Sequence, residues 1–147
     1  MCEEAFYFKK EVNGMSKSQS LLLTSQWYLE AQRIMHYFNA LSEVYGISYE
    51  QFLVLEHIID LGYNTPGQIA TVFKTSAPAA SRKINTLQDK QLIQKVRAAG
   101  NDQRTVLLEV TEKGNAVFRG VKMALKKDDI TITQSDVESL TRIEEQG

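Results

Sequence analysis

Cysteine occurs once in the 147 residues, at Cys2, so the chain can form no internal disulfide. A chain without crosslinks suits a reducing compartment, and a cytoplasmic location is expected. Proline is nearly as scarce, with Pro66 at a helix start and Pro78 just ahead of a second helical run. No apolar run approaches the roughly eighteen residues that a membrane span needs. Phe6-Tyr7-Phe8 is cut short by Lys9, Lys10 and Glu11, which leaves no signal-peptide core. A membrane partner is therefore not expected. Also missing are a Gly-rich phosphate loop, Cys-x-x-Cys, Gly-x-Ser-x-Gly and His-Glu-x-x-His. His36 and His57 fall on different predicted helices, with no carboxylate or thiol partner at ligand spacing. Neither an enzyme, nor a metal site, nor a cofactor is read from the chain. Cys2 has no evident resolving partner, which argues against redox sensing.

What is present is enough apolar material, 43% of residues, for one compact domain with a real core. Residues 1–15 show no period and are expected to be a mobile extension, with Met15 an alternative start; 16–147 are expected to form a single domain. From Lys17, Leu23, Trp27, Ile34, Phe38, Leu41 and Tyr45 recur at helical spacing up to Gly46. Ser48 with Gln51 three residues on is a capping box, and Phe52, Leu55, Ile58 and Ile59 give the second helix its apolar face. Thr65-Pro66 starts a third helix whose inward residues are Ile69, Ala70 and Phe73.

The most informative stretch is 65–114. After the third helix and Ser76-Ala77-Pro78 comes a helical run from Ala79 to Gln91. Two short apolar segments follow, Leu92 to Val96 and Val106 to Val110, around the basic segment 97–104. Helix, turn, helix and a hairpin with a basic tip is the layout of a winged helix-turn-helix, which reads duplex DNA. The fold class expected is mainly α with a small β-hairpin wing. The charge distribution agrees. The whole chain carries net −1, but from Lys74 to Arg104 seven Lys and Arg oppose Asp89 and Asp102. That window is +5 and the remainder −6, a basic footprint on an acidic body.

In the fourth helix Ala80, Ile84 and Leu87 fall at i, i+4 and i+7 and are expected to pack inward. The opposite face then presents Ser76, Ala77, Ala79, Ser81, Arg82, Lys83 and Thr86. Arg82 can donate twice to a guanine edge, Lys83 suits phosphate, and Ala77 or Ala79 can touch a thymine methyl. Helix propensity alone accounts for the alanines equally simply. Thr65 and Arg97 complete the set of expected DNA contacts. In the wing, Gly100-Asn101 supplies the positive φ of a tight tip. Arg104 is placed to enter the minor groove, with Asp102 orienting its guanidinium.

These residues carry a resemblance. Ser76, Pro78, Ser81, Arg82, Ile84 and Leu87 stand at the spacing of the recognition helix of the MarR-type (multiple antibiotic resistance regulator) transcription factors. Asp102-x-Arg104, the strand Val106 to Val110 and Val110-Thr111-Glu112-Lys113-Gly114 are similar to that family's wing and the turn that follows. Val110 replaces the usual Leu, and Ala77, Ala79 and Ala80 replace larger or polar residues. The resemblance implies the same Asp102–Arg104 pairing and a small aromatic effector bound between dimer helices and DNA-binding lobe. Trp27, Tyr28, Tyr37 and Tyr45 are the candidate lining residues, although aromatics at helical spacing equally build a core.

A lone winged helix binds too weakly and too promiscuously, and two recognition helices one helical turn apart on a pseudo-palindromic operator cure this. A homodimer is therefore expected, with 48–110 as the DNA-binding lobe and 17–45 plus 111–147 as dimerisation helices. The terminal stripes are Val117, Val121 and Leu125, then Val137, Leu140 and Ile143 on a last helix from Asp136 to Glu145, with intramolecular core as the alternative use of both. The reading is a homodimeric, sequence-specific repressor released by a small ligand or other signal. The alternative is a winged-helix protein-interaction module without operator recognition.

Overall fold

The computed structural model of the chain describes residues 16–100 and 104–145. Its elements are α1 (Lys17–Glu43), α2 (Tyr49–Ile59), α3 (Pro66–Val72), α4 (Ala77–Asp89), β1 (Ile93–Arg97), β2 (Val106–Val110), α5 (Glu112–Lys127) and α6 (Gln134–Glu145). The mainly α winged helix-turn-helix read from the sequence is the fold observed. The chain divides into two compact units, the residues up to Phe38 and those from Asn39 on, so the division falls within α1. The expected extension, residues 1–15, lies outside the described residues.

In the first unit, α1 holds itself by local bonds. Thr24 Oγ1 donates to the Ser20 carbonyl at 2.9 Å and Ser25 Oγ to that of Leu21 at 3.1 Å. Arg33 pairs with Glu30 one turn back at 3.2 Å. Its large apolar side chains lie open: Leu21, Leu22, Leu23, Trp27, Tyr28, Leu29, Ile34, Met35 and Tyr37 are all exposed. Leu21, Tyr28 and Met35 repeat every seven residues, a second stripe beside the Leu23–Trp27–Ile34 one.

In the second unit each helix start is chemically marked. Ser48 Oγ accepts from the Gln51 amide while Gln51 Oε1 accepts from the Ser48 amide, both at 3.1 Å. Thr65 and Gln68 repeat this box ahead of α3. Ser76 caps α4, and Thr111 caps α5. Such caps satisfy amides that the helix cannot, each contributing about 1 kcal/mol. Three helices close on non-glycine residues in the left-handed region: Lys74 after α3, Gln91 after α4 and Asp129 after α5. After α4 the Gln91 amide donates to Gln88 and the Leu92 amide to Leu87, a Schellman pair that turns the chain into β1.

The core gathers Phe52, Val54 and Leu55 of α2, Ile69 of α3, Ile84 and Leu87 of α4, Leu92, Ile93 and Leu108 of the hairpin, and Phe118 and Val121 of α5. Phe52 stacks between Tyr49 and Phe118 at centroid distances of 5.3 and 5.4 Å. Each such side chain contributes roughly 1.5–3 kcal/mol by leaving water. β1 and β2 pair antiparallel from Ile93↔Val110 to Arg97↔Val106. The Leu108 amide donates at 2.7 Å to the Asn64 carbonyl, which ties the wing to the loop before α3.

Several expectations need correction, among them the bounds of α4, which runs Ala77–Asp89 and not Ala79 to Gln91. The hairpin's first strand begins at Ile93, not Leu92, because Leu92 belongs to the Schellman turn. The last helix begins at Gln134, because Thr133 caps it: Thr133 N and Oγ1 both donate to Asp136 Oδ2. Those bonds hold the Asp136 carboxyl below its ordinary range. The α5 stripe takes the intramolecular alternative in part: Val121 is buried, with Phe118, in the core, and Val117 and Leu125 pack against it.

The tightest approach in the fold is at Gly114. A Cβ there would lie 2.1 Å from the Leu92 carbonyl oxygen and 2.7 Å from Val110 Cγ1. At Gly120 the atoms nearest an added Cβ belong to the Tyr45 ring, the first at 2.4 Å. A ring can turn aside more easily than a main-chain carbonyl. Gly114→Ala is therefore expected to cost about 2–3 kcal/mol and several degrees of Tm, and Gly120→Ala less; thermal denaturation of the two variants checks the order.

Candidate nucleic-acid interface

The sequence places seven α4 residues on one open face, and the structure divides them. Ser76, Ala77, Ser81 and Arg82 are exposed, while Ala79, Lys83 and Thr86 are half-buried. The half-buried flank turns toward the first turn of α2. There Ser48, Glu50, Gln51 and Val54 of the α2 start face Arg82, Lys83 and Thr86 across a cavity of about 150 Å³. Lys83 Nζ donates to Glu50 Oε1 at 2.5 Å, so the lysine expected to meet phosphate is engaged within the fold.

Other members of the basic window are engaged too. Lys90 Nζ donates to the Gly46 carbonyl and to Gln51 Oε1, each at 2.9 Å, and so ties the end of α4 to the start of α2. Lys95 Nζ donates to Asn85 Oδ1 at 2.7 Å, which joins β1 to α4. The Arg82 guanidinium, by contrast, has no hydrogen-bond or ion-pair partner among the described residues and stands in solvent. The +5 window is thus partly a set of internal ties, and Arg82 is the cation of α4 left for an external acceptor.

Three of the expected hydroxyl contacts have local roles. Thr65 Oγ1 accepts from the Gln68 amide at 3.3 Å, and Ser76 Oγ from the Ala79 amide at 3.3 Å. Thr86 Oγ1 donates back to the Arg82 carbonyl at 2.9 Å. In the wing, Arg97 ends β1 and Arg104 lies exposed just before β2. Gly100 adopts φ 106, the turn conformation expected of it. Asn101 and Asp102 lie outside the described residues, and with them the expected Asp102–Arg104 pairing.

Of the four aromatics expected at an effector site, Trp27, Tyr28 and Tyr37 are exposed on the first unit. Tyr45, in the second, lays its ring against Gly120 of α5. A second cavity, about 430 Å³ and open, is lined instead by Tyr63, Thr65, Gly67, Gln68, Thr71 and Val72 beside α3. The residues missed from the sequence are Glu50, Gln51 in its second role, Asn85 and Lys90. Each acts on a partner that sequence periodicity does not pair with it.

The family model described as Transcriptional regulator SarA/Rot matches residues 36–121, from the end of the first unit to the middle of α5. The chain belongs to this family. Solved structures share this fold at low sequence identity. A mutant of MarR from E. coli, complexed with operator DNA, superposes with a TM-score of 0.68 at 22% identity, over 87% of this chain and 94% of that one. The regulator BldR from Sulfolobus solfataricus gives 0.64 at 21% identity, over 90% and 100%. Staphylococcus aureus MarR, in complex with salicylate and kanamycin, gives 0.61 at 18%, over 88% and 90%. No curated protein matches the sequence significantly. Among the described residues no helix is long and apolar enough to cross a membrane, and no cluster of three or more His, Cys, Asp or Glu could hold a metal.

The division between engaged and unengaged cations has a measurable consequence. Lys90→Ala removes two hydrogen bonds from a charged donor and is expected to lower stability by about 1–2 kcal/mol. Arg82→Ala should leave it within about 0.5 kcal/mol. Urea denaturation of both variants measures the difference, and equal losses would contradict this partition.

Proposed function

We propose that this SarA/Rot regulator binds duplex DNA sequence-specifically, as a homodimeric repressor that a small ligand or another signal releases. The observation that carries the reading is Arg82: a solvent-facing guanidinium on α4, without a partner among the described residues, flanked by the small Ser81 and Ala77. A planar, bidentate donor on a helix with a small-residue edge is what guanine recognition in the major groove requires. The wing adds Arg104 beyond the Gly100 turn, in position to reach the adjacent minor groove. The operator-bound MarR relative shares the fold, which supports the same use of these elements.

Residues 48–110 then serve as the DNA-binding lobe, and 17–45 with 111–147 as the dimerising parts. The open apolar side chains of α1, and Val137, Leu140 and Ile143 exposed on α6, support this assignment. Neighbouring apolar residues left in water on this scale mark a surface that a partner covers. The complex with salicylate and kanamycin in one relative supports a small aromatic effector here, with Trp27, Tyr28, Tyr37 and Tyr45 as the candidates. A dimer that couples effector to operator needs only a ligand that prefers one spacing of the two recognition helices. A soluble regulator of this kind works in the cytoplasm, where its operator is.

Selection of random duplex DNA by the purified protein tests the reading. A two-fold symmetric site with half-sites about one helical turn apart is expected. On that site Arg82→Ala should relax the base preference, at a cost of about 1–3 kcal/mol. Arg104→Ala should weaken binding most where A·T pairs flank the half-site and should flatten the salt dependence. Sequence-blind binding by the wild type, or variants indistinguishable from it on a selected site, would refute the proposal.

A further inference from the structure

The Glu50–Lys83 pair lies beside the proposed reading face without belonging to it. Lys83 follows Arg82 directly in α4, so its side chain leaves the helix about 100° round from the guanidinium. On that bearing it meets α2, where Glu50 sits in the first turn, a position the helix dipole favours for a carboxylate. The lysine side chain is 26% exposed and the carboxylate 56%. The pair thus rims the 150 Å³ cavity between the two helices, and its open side faces the solvent that Arg82 also faces. Lysine is a flexible, strongly hydrated point charge without the geometry to read a base. Released, it adds phosphate attraction that is the same on every sequence. Paired, it releases no counterion from DNA until the pair breaks.

From this geometry we propose that Glu50 is a specificity-determining residue: it holds Lys83 on α2 and so suppresses sequence-independent DNA binding while Arg82 stays free to read. Glu50 makes no base contact and acts through Lys83, as a positioning residue. The proposal rests on the DNA-binding reading above and deepens it. A weak, partly exposed pair suits this role: it neutralises the flank that a loosely docked random duplex meets, whereas on the operator the Arg82 contacts fix the register and Lys83 stays on Glu50.

The test uses the intact protein and the Glu50→Gln, Lys83→Gln and Glu50→Gln/Lys83→Gln variants. Affinity for a selected operator and for a random-sequence duplex is measured across about 50–200 mM salt. Glu50→Gln is expected to tighten random-duplex binding roughly threefold at the low-salt end, to steepen its salt slope by about 0.9, and to change operator affinity less. In the Lys83→Gln background the same substitution should do nothing to the slope. A Glu50→Gln gain that persists without Lys83 would reveal general charge repulsion and overturn the pair's role. Equal gains on both duplexes, or none, would overturn it as well. Wild-type protein that binds no duplex at all would instead defeat the DNA-binding reading itself.

Discussion

Much of the second unit hangs on the three residues around Thr111. Its amide donates to the Leu92 carbonyl at 3.0 Å, its hydroxyl donates to the Gln91 carbonyl at 2.7 Å, and the same oxygen accepts from the Gly114 amide at 3.0 Å. One side chain therefore caps α5 and pins the end of β2 to the turn that closes α4. The arrangement works only because Gly114 leaves the Leu92 carbonyl unobstructed. Through it, the reading helix, the wing and α5 keep fixed positions relative to one another within this unit. Lys113 adds a bond to the Lys90 carbonyl, on the residue before that turn.

From this junction the interface follows. α4 packs by Ala80, Ile84 and Leu87, which leaves its far side to Ser81 and Arg82. Two lateral ties on the remaining flank, Lys83 to Glu50 and Lys90 to Gln51, set α4 against the first turn of α2. Gln51 is central here, since one amide oxygen serves both the capping box and Lys90. Charge that looks in the sequence like a phosphate-binding surface is thus divided between holding the motif together and leaving it open. Of these ties only Lys83 to Glu50 sets one charge against another; Lys90 and Lys95 bond to neutral oxygens and keep their charge, so the motif stays basic.

The elements legible in the sequence are those fixed by local chemistry. The capping box at Ser48, the helix start at Thr65-Pro66, the glycine turns at Gly46 and Gly100, and the i, i+4, i+7 stripe of α4 all depend on neighbours within a few residues. The α4 end was read two residues late, because Gln91 closes it in a left-handed conformation normally given to glycine. Thr133 was overlooked as a cap since its partner, Asp136, is not the usual glutamate or glutamine. Lys83 was assigned to the open face because helical periodicity separates buried from unburied positions but does not say which neighbouring helix borders the flank. Its partner is 33 residues away. For the same reason Val54, buried against the α4 side, was absent from the expected apolar face of α2.

The Tyr45 ring resting on Gly120 carries a consequence on a different timescale. With no room for a Cβ between them, the sizes of the two residues are linked: growth at position 120 is tolerable only with a smaller or displaced side chain at 45. Mutational drift then crosses the contact most easily when the tyrosine yields first. Descendants of this chain that keep the aromatic ring should keep the bare backbone opposite it, and lineages that lost one should have been released from the other.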